Sequence, residues 1–188
     1  MGQQTVADYF QTLSESMLTM EVTGRNGRKL SLERGAEQAL QMILDTRSNS
    51  GKALLVGNGG SSAMASHVAV DFTKAAGIRA INFNEADLIT CFANDYGYEN
   101  WVAQALEAYA DQGELLILIS SSGNSQNILN GAKKAKEMGL LVITLSGFLP
   151  DNPLRKLGNL NLWVDSSEYN IVASNHINQA DILKILIN

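Results

Sequence analysis

ELLILISSSGNS, residues 114–125, changes character halfway along its length. Leu115, Leu116, Ile117, Leu118 and Ile119 form a continuous apolar run too short for an ordinary helix. Such a run predicts a strand buried on both faces, as in a parallel sheet covered by helices on either side. It stops in Ser120-Ser121-Ser122-Gly123-Asn124-Ser125, and a helical pattern begins at Ile128. A strand, a tight polar turn and a helix start together make an anion site, because free backbone N–H groups and several hydroxyls converge where a phosphate would sit. No Lys or Arg lies in the turn, so the site would hold its anion by dipoles and hydrogen bonds. The competing reading is a serine-rich loop whose serine caps the helix, the commonest use of such residues.

An upstream stretch repeats this logic. Lys52-Ala53-Leu54-Leu55-Val56 reads as a strand that ends in Gly57-Asn58-Gly59-Gly60-Ser61-Ser62, with a helix following from Ala63 to about Phe72. This turn lacks the Lys of a P-loop and the spacing of a dinucleotide fingerprint, which disfavours a Rossmann oxidoreductase. A serine hydrolase fits less well still, because Ser122 lacks the flanking glycine of a nucleophile elbow. One glycine-rich turn is weak evidence. Two can face a single crevice at the carboxyl edge of a parallel sheet.

Around these two units the chain alternates. Val6, Phe10, Leu13, Met17 and Met20 recur at three and four residues and predict an amphipathic helix over 5–20. Residues 21–29, with Gly24, Asn26 and Gly27, read as a connection. A second helix opens at Ser31 and runs to about Thr46. Ala80-Ile81-Asn82-Phe83 is predicted to be a strand, followed by a short helix over 85–92, a polar turn at Ala93-Asn94-Asp95-Tyr96-Gly97 and a helix over 101–109. After the central strand come a helix over 126–138 stopped by Gly139, a strand over 140–145, a break at Pro150-Asp151-Asn152-Pro153 and a last strand over 160–164. A closing helix over 171–187 carries Ile171, Ile177, Ile182, Leu183, Ile185, Leu186 and Ile187. The alternation predicts an α/β fold with right-handed crossovers and a doubly wound parallel sheet. The expectation is one domain over 1–188, with the helices of residues 1–48 packing on the sheet or forming an oligomer contact.

Apolar residues make up 45% of the 188, charged residues 18%, and the formal charge is −5, which argues against a nucleic-acid surface. Lys133, Lys134 and Lys136 are the nearest approach to a basic cluster and are expected on a solvated helix face. A single cysteine, Cys91, excludes an intrachain disulfide framework. No apolar stretch has the length of a membrane span and no signal-peptide apolar region is evident, so a cytoplasmic location is expected.

With the two glycine and serine turns and Ala93-Asn94-Asp95-Tyr96-Gly97 in this order and spacing, the chain resembles a sugar-isomerase (SIS) domain. Within that family it looks closest to the phosphoheptose isomerases, which make D-glycero-D-manno-heptose 7-phosphate from sedoheptulose 7-phosphate. The resemblance covers nearly the whole chain. It implies a five-stranded parallel sheet of flavodoxin-like kind, preceded by two N-terminal helices, and a homotetramer with active sites between subunits. By position it assigns the sugar phosphate to Ser120, Ser121, Ser122 and Ser125, with Asn124 in the same turn. Asn58, Gly59, Gly60 and Ser61 would line the sugar chain, and Asp95 would meet its hydroxyls. An aldose–ketose isomerisation passes a proton between adjacent carbons through an enediol, which needs a base and an acid. The resemblance places a family Glu at Asp71 as the base and makes His67 and His176 further catalytic candidates.

His67 and Asp71 are four apart and would share a helix face. Family members bind zinc with a His and a Glu at these positions and complete the site with a Gln and a His on the final helix. Here those last two positions hold Ala173, whose methyl group cannot ligate, and Asp181, a different ligand. Zinc is therefore implied by the resemblance only, with an incomplete ligand set, and the plainer role for His67 and His176 is to cap or pack. Two readings stand: a heptose-phosphate isomerase, or a non-catalytic phosphosugar-binding SIS protein with a regulatory or scaffolding role.

Overall fold

The computed structural model describes residues 5–187. The side chains of residues 180 and 182–187, and with them the apolar set Ile182, Leu183, Ile185, Leu186 and Ile187, lie outside the described residues. Elements follow in the order α1 (Val6–Leu18), β1 (Glu21–Gly24), β2 (Lys29–Leu30), α2 (Leu32–Ser48), β3 (Lys52–Gly57), α3 (Gly60–Lys74), β4 (Arg79–Asn82), α4 (Ala86–Tyr96), α5 (Trp101–Tyr109), β5 (Leu115–Ser120), α6 (Gln126–Glu137), β6 (Leu141–Ser146), β7 (Leu160–Trp163) and α7 (Tyr169–Ile187).

Every residue of β5 is buried, as its unbroken apolar run requires of a strand covered on both faces. Its two sides feed two cores. Leu115, Ile117 and Ile119 pack with Ile43 of α2 and Ala65, Val68 and Phe72 of α3. Leu116 and Leu118 pack with Trp101 and Leu106 of α5 and Ile128 of α6. The strand's period of two thus splits one sequence run between two helical layers. Each such Leu or Ile contributes about 1.5–3 kcal/mol by leaving water.

The sheet has seven strands in the order β2-β1-β7-β6-β5-β3-β4. From β7 to β4 the neighbouring pairs are all parallel. The two added strands correct the five-strand expectation. β1 pairs antiparallel with β2 and with β7, so residues 21–29 form a hairpin rather than a plain connection. Asn26 and Gly27 make its bend at φ 67 and 74. A strand pair therefore stands between α1 and α2. A further correction concerns Ala93-Asn94-Asp95-Tyr96, which form the last turn of α4 rather than a polar turn; the helix ends at Gly97, whose φ is 85. The closing helix also starts two residues early, at Tyr169.

The chain leaves β3 for β4 on one side of the sheet and returns to β5 on the other. β3 and β5 are adjacent and parallel, so the point where strand order reverses lies between their carboxyl ends. Both polar turns open there.

Candidate active site

β3 delivers the first turn and β5 the second. Gly59 takes φ 53 and ψ −121, a conformation that L side chains rarely adopt, and this lets α3 start directly at Gly60. Neither α3 nor α6 has a side-chain hydrogen bond at its N-cap. The capping serine of the competing reading is Ser125 by position, at the N-cap of α6, but its hydroxyl makes no cap hydrogen bond and instead receives one from Ser120 Oγ at 3.4 Å. Two helix starts without side-chain caps, each with its positive dipole end, face the same crevice.

A cavity of about 240 Å³ occupies that crevice, walled by Asn58, Ser61, Ser120, Ser121, Ser122 and Ser125. Six of the site residues expected from sequence therefore meet in one place. Ser121 Oγ is buried there without a hydrogen-bond partner among the described residues. Such orphaned hydroxyls are uncommon in folded proteins, and one on the wall of a binding cavity points to a ligand. Among the described residues no cationic side chain lines the cavity.

Other expected residues lie elsewhere. Asn124 is exposed, and its side chain turns back to donate to the Ser122 carbonyl at 3.2 Å. Asp95 is exposed on α4 and accepts from Asn94 Nδ2 at 2.9 Å. Gly60 belongs to an adjoining cavity of about 420 Å³, which Ala173 also lines.

His67 and Asp71 lie further along α3. Their separations from Gly60, seven and eleven residues, correspond to roughly 10 and 16 Å of helix axis. His67 Nε2 is 3.5 Å from Asp71 Oδ2 and 3.9 Å from Asp181 Oδ1. One ligand atom from each of the three residues falls within 4.8 Å of the others. One imidazole nitrogen and two carboxylate oxygens fit a divalent cation, whereas Ala173 offers no donor. Within the chain, this cluster and the serine crevice are separate along α3.

His176, a further catalytic candidate by resemblance, is fully buried, and neither ring nitrogen makes a hydrogen bond of normal geometry among the described residues. Burial pushes its pKa down to about 4, while the nearby Ser146 backbone pulls weakly the other way. The ring is thus packed in the core, the plainer of the two roles considered for it.

Four residues not expected from sequence shape the crevice. Phe148, at φ 57, and Tyr169 complete its wall. Asn127 pairs with Asn58, and Tyr98 donates from its hydroxyl to Asn58 Oδ1 at 3.2 Å. Asn127 sits in the first turn after the serine loop, which was the one available cue. Tyr98 and Tyr169 reach the site from distant segments.

Residues 25–147 match the SIS domain family. The chain is 35% identical over 159 residues to the phosphoheptose isomerase of Helicobacter pylori strain P12, covering 81% of this chain and 82% of that one. It is 39% identical over 149 residues to the phosphoheptose isomerase of Campylobacter concisus, covering 75% and 77%. The solved phosphoheptose isomerase of Neisseria gonorrhoeae superposes with a TM-score of 0.82 at 27% identity, over 97% of this chain and 94% of that one. This chain belongs to the SIS domain family and, within it, to the phosphoheptose isomerases.

Proposed function

We propose that this protein is an aldose–ketose isomerase that converts sedoheptulose 7-phosphate into D-glycero-D-manno-heptose 7-phosphate. The observation that carries the reading is the buried, unpartnered Ser121 hydroxyl between two uncapped helix starts. The phosphate would sit in the serine turn, held by backbone N–H groups and by Ser120, Ser121, Ser122 and Ser125. Asn58, Gly59, Gly60 and Ser61 would line the sugar, with Asp95 and Asn124 at its approaches.

Asp71 is assigned as the base that moves a proton between the first two carbons through the enediol. Where no metal is bound, His67, 3.5 Å from the Asp71 carboxylate, would hold and return a proton. Alternatively, His67, Asp71 and Asp181 would hold a zinc ion, which would there supply Lewis-acid polarisation of the sugar carbonyl.

The separation of Asp71 from the serine crevice along α3 supports a site completed between subunits of a homo-oligomer, read here as a tetramer. Val6, Phe10 and Leu18 of α1, 75%, 62% and 72% exposed, give that assembly an apolar face. The reading also takes the chain as one SIS domain working in the cytoplasm; among the described residues no helix is long and apolar enough to cross a membrane.

Ala173, Asp181 and the burial of His176 favour a second reading, a phosphosugar-binding protein without turnover. Incubation with sedoheptulose 7-phosphate separates the two. Formation of the aldose by the native protein, lost in Asp71→Ala, supports the isomerase. Absence of aldose with and without zinc leaves the binding protein.

A further inference from the structure

The structure carries a second polar cavity, at the edge of the sheet opposite the serine crevice. It holds about 300 Å³ where β6 and β7 begin, at Leu141, Val142 and Asn159. Three cations reach it from separate parts of the chain: Arg25 from the β1–β2 bend, Lys136 from the end of α6, and Lys156 from the short turn before β7. Among the described residues no carboxylate lines it.

The neighbours of these cations are engaged. Lys134 pairs with Glu107 at 3.0 Å, and Arg155 pairs with Glu21 at 2.8 Å while stacking over Trp163. Arg25, Lys136 and Lys156 are exposed and have no ion-pair partner among the described residues. Lys136 lies in the last turn of α6, where a cation offsets the dipole. Lys156 and Arg25 lie in tight turns of four and three residues, too short for such a role. Asn159 adds a fixed donor: its Oδ1 accepts from Val142 N–H at 2.9 Å, which leaves its amide NH2 with no protein partner among the described residues. A pocket of donors without acceptor side chains other than amides, in a chain of net charge −5, is a local reversal of sign.

We propose that this cavity binds a small polyanion bearing more than one phosphate, or a phosphate and a carboxylate, and lacking a nucleobase. Three cations and one oriented amide match two anionic groups. The apolar floor of Leu140, Leu141 and Leu157 is aliphatic, so it has no aromatic surface on which a base would stack. α6 runs from the serine turn to this cavity, and β6 runs from the cavity to Ser146 beside that turn, so each element has one end at either site.

Calorimetric titration of the full-length protein with pyrophosphate at low salt tests the proposal. Native protein is expected to bind at two sites per chain, with affinity falling as salt rises. Lys136→Glu with Lys156→Glu should weaken one site at least tenfold and spare the other; Arg25→Ala should weaken the same site. Ser121→Ala with Ser125→Ala should do the reverse, so failure of the serine site and failure of this one are distinguishable. A single pyrophosphate site insensitive to the lysine and arginine changes would overturn the proposal. Binding of ADP at this edge more than tenfold tighter than pyrophosphate would overturn the exclusion of a nucleobase.

Discussion

Asn58 and Asn127 exchange amide hydrogen bonds, Asn58 Nδ2 to Asn127 Oδ1 at 3.0 Å and Asn127 Nδ2 to Asn58 Oδ1 at 2.8 Å. One belongs to the turn after β3 and the other to the first turn of α6, so the pair fastens the two corners of the crevice to each other. Asn127 is 2% exposed, so water cannot replace a lost partner. Asn58→Ala, which strands the buried Asn127 amide, is expected to cost about 1–3 kcal/mol in urea unfolding, the usual penalty for an orphaned buried amide. Adding Asn127→Ala should cost less than the sum of the two single changes, because both remove one interaction. Strict additivity would show the pair to be idle.

Tyr169 and Gly60 make a second such test. The Tyr169 hydroxyl fills the space where a Cβ on residue 60 would stand, while its ring carbon Cζ is 3.6 Å from that point. Gly60→Ala should therefore push Tyr169 off the crevice, lowering the melting temperature and weakening sugar-phosphate binding. Tyr169→Phe in the same chain should recover most of both, since only ordinary van der Waals contact remains. Lack of recovery would place the glycine requirement in the backbone instead.

Burial of His176 gives stability a pH dependence of defined sign. The unfolded imidazole titrates near 6.5 and the folded one at about 4. Between these values the unfolded chain binds a proton that the folded chain has released. This stabilisation is full above the unfolded value and is lost as pH falls towards 4, by on the order of 3 kcal/mol. Urea unfolding at pH 7.5, 6 and 5 should show the decline, and His176→Gln should flatten it. Equal slopes in both proteins would contradict the burial of a neutral ring.

The cluster of His67, Asp71 and Asp181 predicts retained metal. Elemental analysis of the purified protein should find a divalent ion, and chelation should lower the melting temperature, because a ligand bound only by the folded state stabilises it. His67→Ala should abolish both effects. Native protein free of metal after zinc loading would leave the three side chains as a hydrogen-bonded cluster.

Much of this was legible in the chain because local pattern and tertiary role coincide. The apolar run 115–119 has no amphipathic alternative, and the turns after β3 and β5 are too rich in glycine and serine to continue a strand. The β1–β2 hairpin was hidden because its strands span four and two residues, too short to display a period of two. Its one signal was Asn26-Gly27, a preferred hairpin bend. Residues 93–96 are polar enough to suggest a turn, yet α4 carries through them to Gly97. The i, i+4 spacing of His67 and Asp71 was visible, whereas burial of His176 was not, since a lone polar residue on a helix does not announce which face it takes. Tyr169 and Phe148 reach the crevice through long-range contacts that no local pattern encodes.

The central claim is that uncharged amides and hydroxyls at two neighbouring strand-to-helix corners hold the phosphate of a sugar. Its most direct test is the affinity of sedoheptulose 7-phosphate for the native protein and for Ser121→Ala with Ser125→Ala. Two lost hydrogen bonds to a charged group predict a dissociation constant raised roughly tenfold or more. An unchanged constant in a folded double variant would contradict the account.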